Sequence, residues 1–146
     1  RAYTKLVFER GVALGTSLFV LGSGKSRSYM SDSDRSRAMQ DFELVCAELD
    51  VIAQEYGVEI AIEPLCKGTS NLLTSLEETY EFLKKRFSSI KMIADFYHMS
   101  QACDDHNDLM RYASQISHIH ICDESRGIIR SQSSYIKKLL DFCIGV

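Results

Sequence analysis

Four short runs of strand-forming apolar residues recur along the chain, and a helical pattern follows each one. This alternation constrains the fold most, because strands joined through helices return to the same end of a sheet and lie parallel. The first run is Thr16 to Leu21, ended by Gly22-Ser-Gly24. The next helix runs from a capping region at Asp32 and Asp34 to Gly57, with Phe42, Val45, Leu49, Ile52 and Tyr56 spaced three and four apart. The second strand, Val58 to Ile62, arrives at Glu63-Pro64, where the proline removes a ladder donor and marks the strand end. Its helix opens on a capping box, Ser75-x-x-Glu78, and turns Leu76, Tyr80, Leu83 and Phe87 inward. The third strand, Ile90 to Ala94, ends at Asp95, and a helix from about Asn107 to Ile116 follows. The fourth, His118 to Cys122, runs into Asp123-Glu-Ser-Arg126, and a last helix covers about Ser134 to Ile144.

Four β/α units are half of an eightfold barrel, for which about 250 residues is typical. The expected fold class is therefore α/β, with parallel units making a half or truncated barrel. Residues 1–146 are expected to form one partial barrel domain. Two open sheet edges and an uncovered apolar interior call for a partner, either the missing barrel segments or a second copy in a homo-oligomer. The chain opens at Arg1, without a methionine and already in a helix that feeds a strand, as expected of a processed product or a fragment.

Composition narrows the partners. Seventeen basic residues against twenty acidic ones give a net charge of -3, with no basic face for nucleic acid or anionic lipid. No apolar run approaches the roughly 20 residues of a membrane span, so a soluble cytoplasmic protein is expected. Five scattered cysteines, with no C-x-x-C pair, fit a reducing cytosol and read as small buried hydrophobes.

The carboxyl ends of the strands carry the chemistry, since that face holds the active site in this architecture. Glu63, Asp95 and His120 stand there on successive strands. Singly, each reads as a turn cap or a satisfied core residue. Together, two carboxylates and an imidazole fit a divalent metal, because carboxylates seldom enter a barrel mouth without a compensating cation. Mostly oxygen ligands with one nitrogen favour Mn²⁺, with Mg²⁺ or Co²⁺ as alternatives.

The segments Ile62-Glu-Pro-Leu65, Ala94-Asp-Phe-Tyr-His98, His118-Ile-His-Ile-Cys-Asp-Glu-Ser-Arg126 and Leu21-Gly-Ser-Gly-Lys-Ser-Arg27 resemble the strand ends and loops of the sugar phosphate isomerase/epimerase superfamily. This is the xylose isomerase-like TIM barrel group that includes ketose 3-epimerases and hydroxypyruvate isomerases. The resemblance implies metal-dependent proton transfer beside a ketose carbonyl, through an enediolate, on a small ketose or sugar phosphate. It implies Glu63 as a metal ligand and catalytic acid/base, Asp95 and His120 as further ligands, and His98, Arg126 and Lys67 as substrate contacts. Thr69 stands where the family places a second substrate-binding glutamate, and Cys66-Lys67 replaces an asparagine and arginine, so substrate preference departs from the pattern. The resemblance further implies that the first three strands and the last are lacking; the second catalytic glutamate belongs to that last strand, so the chain alone is expected to be inactive or very weakly active. A non-catalytic remnant or self-associating half barrel is the alternative.

Two other enzyme classes echo more faintly. Gly22-Ser-Gly-Lys-Ser26 resembles a nucleotide phosphate loop, but Phe19 stands where that motif needs a glycine. Apurinic endonucleases share the barrel but call for a more basic surface.

Overall fold

In the computed structural model, which describes residues 1–84, 86–123, 125–127, 129 and 134–145, each apolar run becomes a strand and each strand neighbours the next. Strands β1 (Leu18–Leu21), β2 (Glu59–Ile62), β3 (Ile90–Asp95) and β4 (Ile116–His120) form one parallel sheet in that order. The connecting helices are α1 (Ala2–Ala13), α2 (Arg35–Tyr56), α3 (Leu76–Leu83), α4 (Phe96–Ala102), α5 (His106–Tyr112) and α6 (Ser134–Ile144). Helices flank an open sheet of four strands, which is half of an eight-stranded parallel barrel.

Side chains alternate across a strand, and the two faces of this sheet differ accordingly. Ile60, Ile62, Met92 and Ala94 join the core with Phe8 of α1, Cys46 and Ala53 of α2, Leu76 and Phe82 of α3, and Leu139 of α6. The opposite, concave face presents Ala61, Ile93 and an ion pair between Lys91 Nζ and Glu59 Oε2 at 3.3 Å. Exposed Val20 and His118 complete it, so this interior is more polar than the expected apolar one.

Local signals explain the helix ends. Gly57 ends α2 at φ 62°, in the left-handed conformation that glycine adopts without a Cβ penalty. Ser75 caps α3 by accepting from Glu78 N at 3.1 Å, while the Glu78 carboxylate accepts from Thr74 N at 2.7 Å rather than from the cap residue. Asp50, nearly buried on α2, accepts from Ser88 N and Ser89 N and so holds the chain entering β3.

Several expectations are corrected. Strand β4 begins and ends two residues earlier than the alternating run suggests, its end set by pairing of His120 with Asp95 at the last position of β3. Helix α5 stops at Tyr112, and a 3-10 turn over Ala113–Gln115 leads into β4. Helix α4 was not foreseen. The buried stripe of α2 uses Phe42, Cys46 and Ala53, leaving Val45 51% exposed, and Phe87 lies beyond the end of α3. Cys46 and Cys66 are buried as expected, but Cys103 and Cys143 are exposed: Cys103 ends α4 with a left-handed backbone, and Cys143 lies on the outer side of α6. Among the described residues no helix is long and apolar enough to cross a membrane.

Candidate metal centre

The parallel register sets the ends of β2, β3 and β4 side by side. Glu63 follows the last residue of β2, Asp95 ends β3, and His120 ends β4 directly opposite Asp95. Alternation turns all three to the concave face. His120 Nδ1 lies 3.3 Å from Glu63 Oε1 and 3.3 Å from Asp95 Oδ2. One ligand atom from each residue falls within 4.8 Å of the others.

These separations suit a shared cation. Donor atoms about 2.2 Å from one ion, at right angles around it, stand roughly 3 Å apart. The second Asp95 oxygen is already committed: Oδ1 accepts from Tyr97 N at 2.9 Å and His98 N at 3.0 Å, capping α4 and leaving Oδ2 to face the site. Burial raises the Glu63 carboxyl above the ordinary carboxylate range, and neighbouring Asp95 adds to the rise, while His120 and Arg27 oppose it. Two half-buried acids that repel each other beside an imidazole make a donor set that a divalent cation would relieve. Gly22 packs against them: a Cβ there would lie 2.7 Å from Glu63 Oε2 and push the end of that side chain aside.

The acids open on a cavity of about 430 Å³ lined also by Gly24, Leu65, Thr69, His98, Cys122 and Arg126. His98 is 5% exposed. Its Nδ1 accepts from Cys66 N at 3.1 Å, so the neutral ring carries its proton on Nε2. Arg126 Nη2 stands 3.1 Å from that same Nε2, and its guanidinium stacks 4.1 Å over the Tyr97 ring. Two donors thus face each other, an arrangement satisfied when both point at one acceptor oxygen. Burial lowers the His98 pKa, against the opposing pull of Asp95 and with help from Arg126, which favours the neutral ring. Arg126 reaches this place from a left-handed backbone at φ 61°.

Of the residues singled out from the sequence, Glu63, Asp95, His98, His120 and Arg126 come together. Lys67 does not: it is exposed on the turn after β2 and is not among the residues lining the cavity. Glu124, within the last resemblance segment, lies outside the described residues. Sequence reasoning passed over Gly22, Arg27, Tyr97 and Cys122. The glycine-serine run did signal a tight turn, but as a 3-10 turn over Gly24–Arg27 with Lys25 exposed, not as a phosphate cradle.

Solved structures share this architecture. The 3-keto-D-glucoside 4-epimerase YcjR from E. coli superposes with a TM-score of 0.78 at 16% identity, over 97% of this chain and 69% of that one. A D-allulose 3-epimerase from Methylomonas sp., solved with D-allulose, gives 0.76 at 17% identity, over 97% of this chain and 50% of its own. The D-psicose 3-epimerase of Clostridium cellulolyticum H10, solved with D-tagatose, gives 0.77 at 21% identity, over 97% and 52%. The chain thus spans about half the length of these two ketose epimerases. The IolI protein, whose structure holds a zinc atom, matches at 0.71 and 17% identity, over 94% of this chain and 55% of its own. No curated protein matches. A family profile covers residues 1–134, and the chain belongs to the xylose isomerase-like TIM barrel family.

Proposed function

We propose that this chain is the metal-binding half of a sugar epimerase or isomerase that moves a proton on the carbon beside a ketose carbonyl. The observation that carries the reading is the convergence of Glu63 Oε1, Asp95 Oδ2 and His120 Nδ1 on one point. These three would hold a divalent ion, with Mn²⁺ matching two carboxylates and one imidazole best and Mg²⁺ or Co²⁺ accepting the same donors. When bound, such an ion supplies Lewis-acid stabilisation of negative charge developing on the substrate oxygens.

The chain's own residues do the rest. Glu63 is the base: its raised pKa makes the carboxylate a stronger proton acceptor. His98 Nε2–H and Arg126 hold a substrate oxygen between them. The neutral sugars in the neighbouring epimerases and the single arginine among the described residues lining this cavity favour a small ketose over a sugar phosphate.

Epimerisation needs a second base on the opposite face of the carbon, and the described residues place none there. The reading therefore includes segments outside this chain, the first three strands and the last, which would pair with the open edges of β1 and β4. Five cysteines without a disulfide fit a reducing cytoplasm.

Calorimetric titration with Mn²⁺, paired with a ketose epimerisation assay, tests this. The expected result is micromolar Mn²⁺ binding with no turnover by the chain alone. Absence of binding would refute the metal centre, and robust turnover would refute the incompleteness.

A further inference from the structure

The turn after β1 contains a buried cation that the proposed chemistry does not use. Arg27 is 5% exposed. Its Nε and Nη1 have no hydrogen-bond partner among the described residues, and the Phe42 ring lies 5.9 Å beneath the guanidinium. A buried guanidinium without a carboxylate partner is costly, and an apolar side chain would pack against Phe42 and Cys46 at lower cost. What the arginine adds is one bond. Nη2 donates to the main-chain carbonyl of Glu63 at 2.5 Å, across 36 residues of sequence.

That bond completes a grip on a single residue. The Glu63 N–H donates to the Leu21 carbonyl at 3.1 Å. Gly22 lies so close to Glu63 Oε2 that a Cβ there would stand 2.7 Å away. The end of β1 and its turn thus hold Glu63 by its amide and its carbonyl, with Gly22 packed against its carboxylate, at the point where Pro64 ends the strand.

We propose that Arg27 is a positioning residue of the metal centre, its bond to the Glu63 carbonyl fixing the direction in which that carboxylate enters the cavity. The proposal rests on the reading of Glu63 as a ligand. It gives the glycine-serine turn a task on this chain's own backbone, where the sequence suggested a phosphate.

Mn²⁺ titration of the full chain and its variants, set beside metal-free thermal midpoints, tests it. Arg27→Met is expected to weaken Mn²⁺ binding by about tenfold or more, the scale seen when a group orienting a ligand is removed. Phe42→Leu keeps the bond and loosens only the packing, so it should lower the metal-free midpoint and leave the affinity unchanged. Wild-type affinity in Arg27→Met overturns the proposal. If Arg27→Met does not fold, Arg27→Lys decides, since an ammonium cannot reproduce the planar fork. The visible absorption band of Co²⁺ at the site should then shift, and an unchanged band with unchanged affinity overturns the proposal. Failure of the wild-type chain to bind Mn²⁺ refutes the ligand reading itself, a result distinct from all of these.

Discussion

Replacing Glu63 with glutamine should move stability in opposite directions with and without a metal ion. In the metal-free protein the facing oxygens of Glu63 and Asp95 lie within 4.8 Å of each other, on side chains only 16% and 12% exposed. Two unit charges at that distance repel by roughly 3 kcal/mol at an effective dielectric constant of about 20. The open mouth of the site and screening by salt reduce this to about 1 kcal/mol. The raised pKa of Glu63 has the same sign, since burial and Asp95 both disfavour its charged form. Glutamine removes the charge at nearly constant volume. Unfolding entropy of about 2.1 cal/mol/K per residue converts the relief into a rise of about 3 °C in the metal-free midpoint.

With Mn²⁺ at a hundredfold excess over Kd, the wild-type chain should gain about 2.7 kcal/mol, or about 9 °C on the same scale. Glu63→Gln should lose most of that gain, because a neutral amide oxygen is a poor ligand beside a carboxylate. The two melting curves therefore cross in order. Circular dichroism melts in chelator and in excess Mn²⁺ measure both, which suits a chain without tryptophan. A variant that keeps the full Mn²⁺ shift would show that Glu63 holds no ion. A variant less stable than wild type in chelator would show that the Glu63 carboxylate is satisfied by its neighbours, not repelled by them.

Asp104 and the cysteines offer checks independent of the metal. Asp104 is 8% exposed and accepts from Leu76 N at 3.0 Å, and burial pushes its pKa up from 3.8 to about 6. The folded chain binds this proton more readily than the unfolded one, so the contribution is full below pH 3.8 and lost as pH rises through about 6. The shift corresponds to about 3 kcal/mol. Asp104→Asn should remove that part of the pH dependence, seen in urea midpoints between about pH 4 and pH 7, and an unaltered slope would refute the assignment. Thiol labelling of the folded protein should modify exposed Cys103 and Cys143 rapidly. Cys46, buried and with its thiol pushed up to about 12, should react only on unfolding; rapid labelling of Cys46 would contradict the packing of α2 on the sheet.

How far the sequence reveals this molecule depends on the range of the forces that shape each part. Glu63, Asp95 and His120 could be read because each ends an apolar strand, and alternation along a strand fixes the face a terminal side chain takes. Parallel pairing then brings those faces together without further instruction. The boundaries of β4 could not be read, because His118-Ile-His-Ile-Cys122 continues the alternation past the point where β3 has a residue left to pair. Helix α4 spans only seven residues of mixed character, FYHMSQA, and carries no periodic signal. It exists because Asp95 caps it and the core buries Phe96 and Met99, both tertiary effects. Arg27 lay furthest from view, since its partner is a carbonyl 36 positions away, just past the end of β2, and no local pattern encodes a main-chain acceptor. The strand ends thus declare which groups meet, whereas the irregular turns that aim them are specified only by the assembled fold. Substitutions in those turns should accordingly change the geometry of the centre while its ligands stay in place.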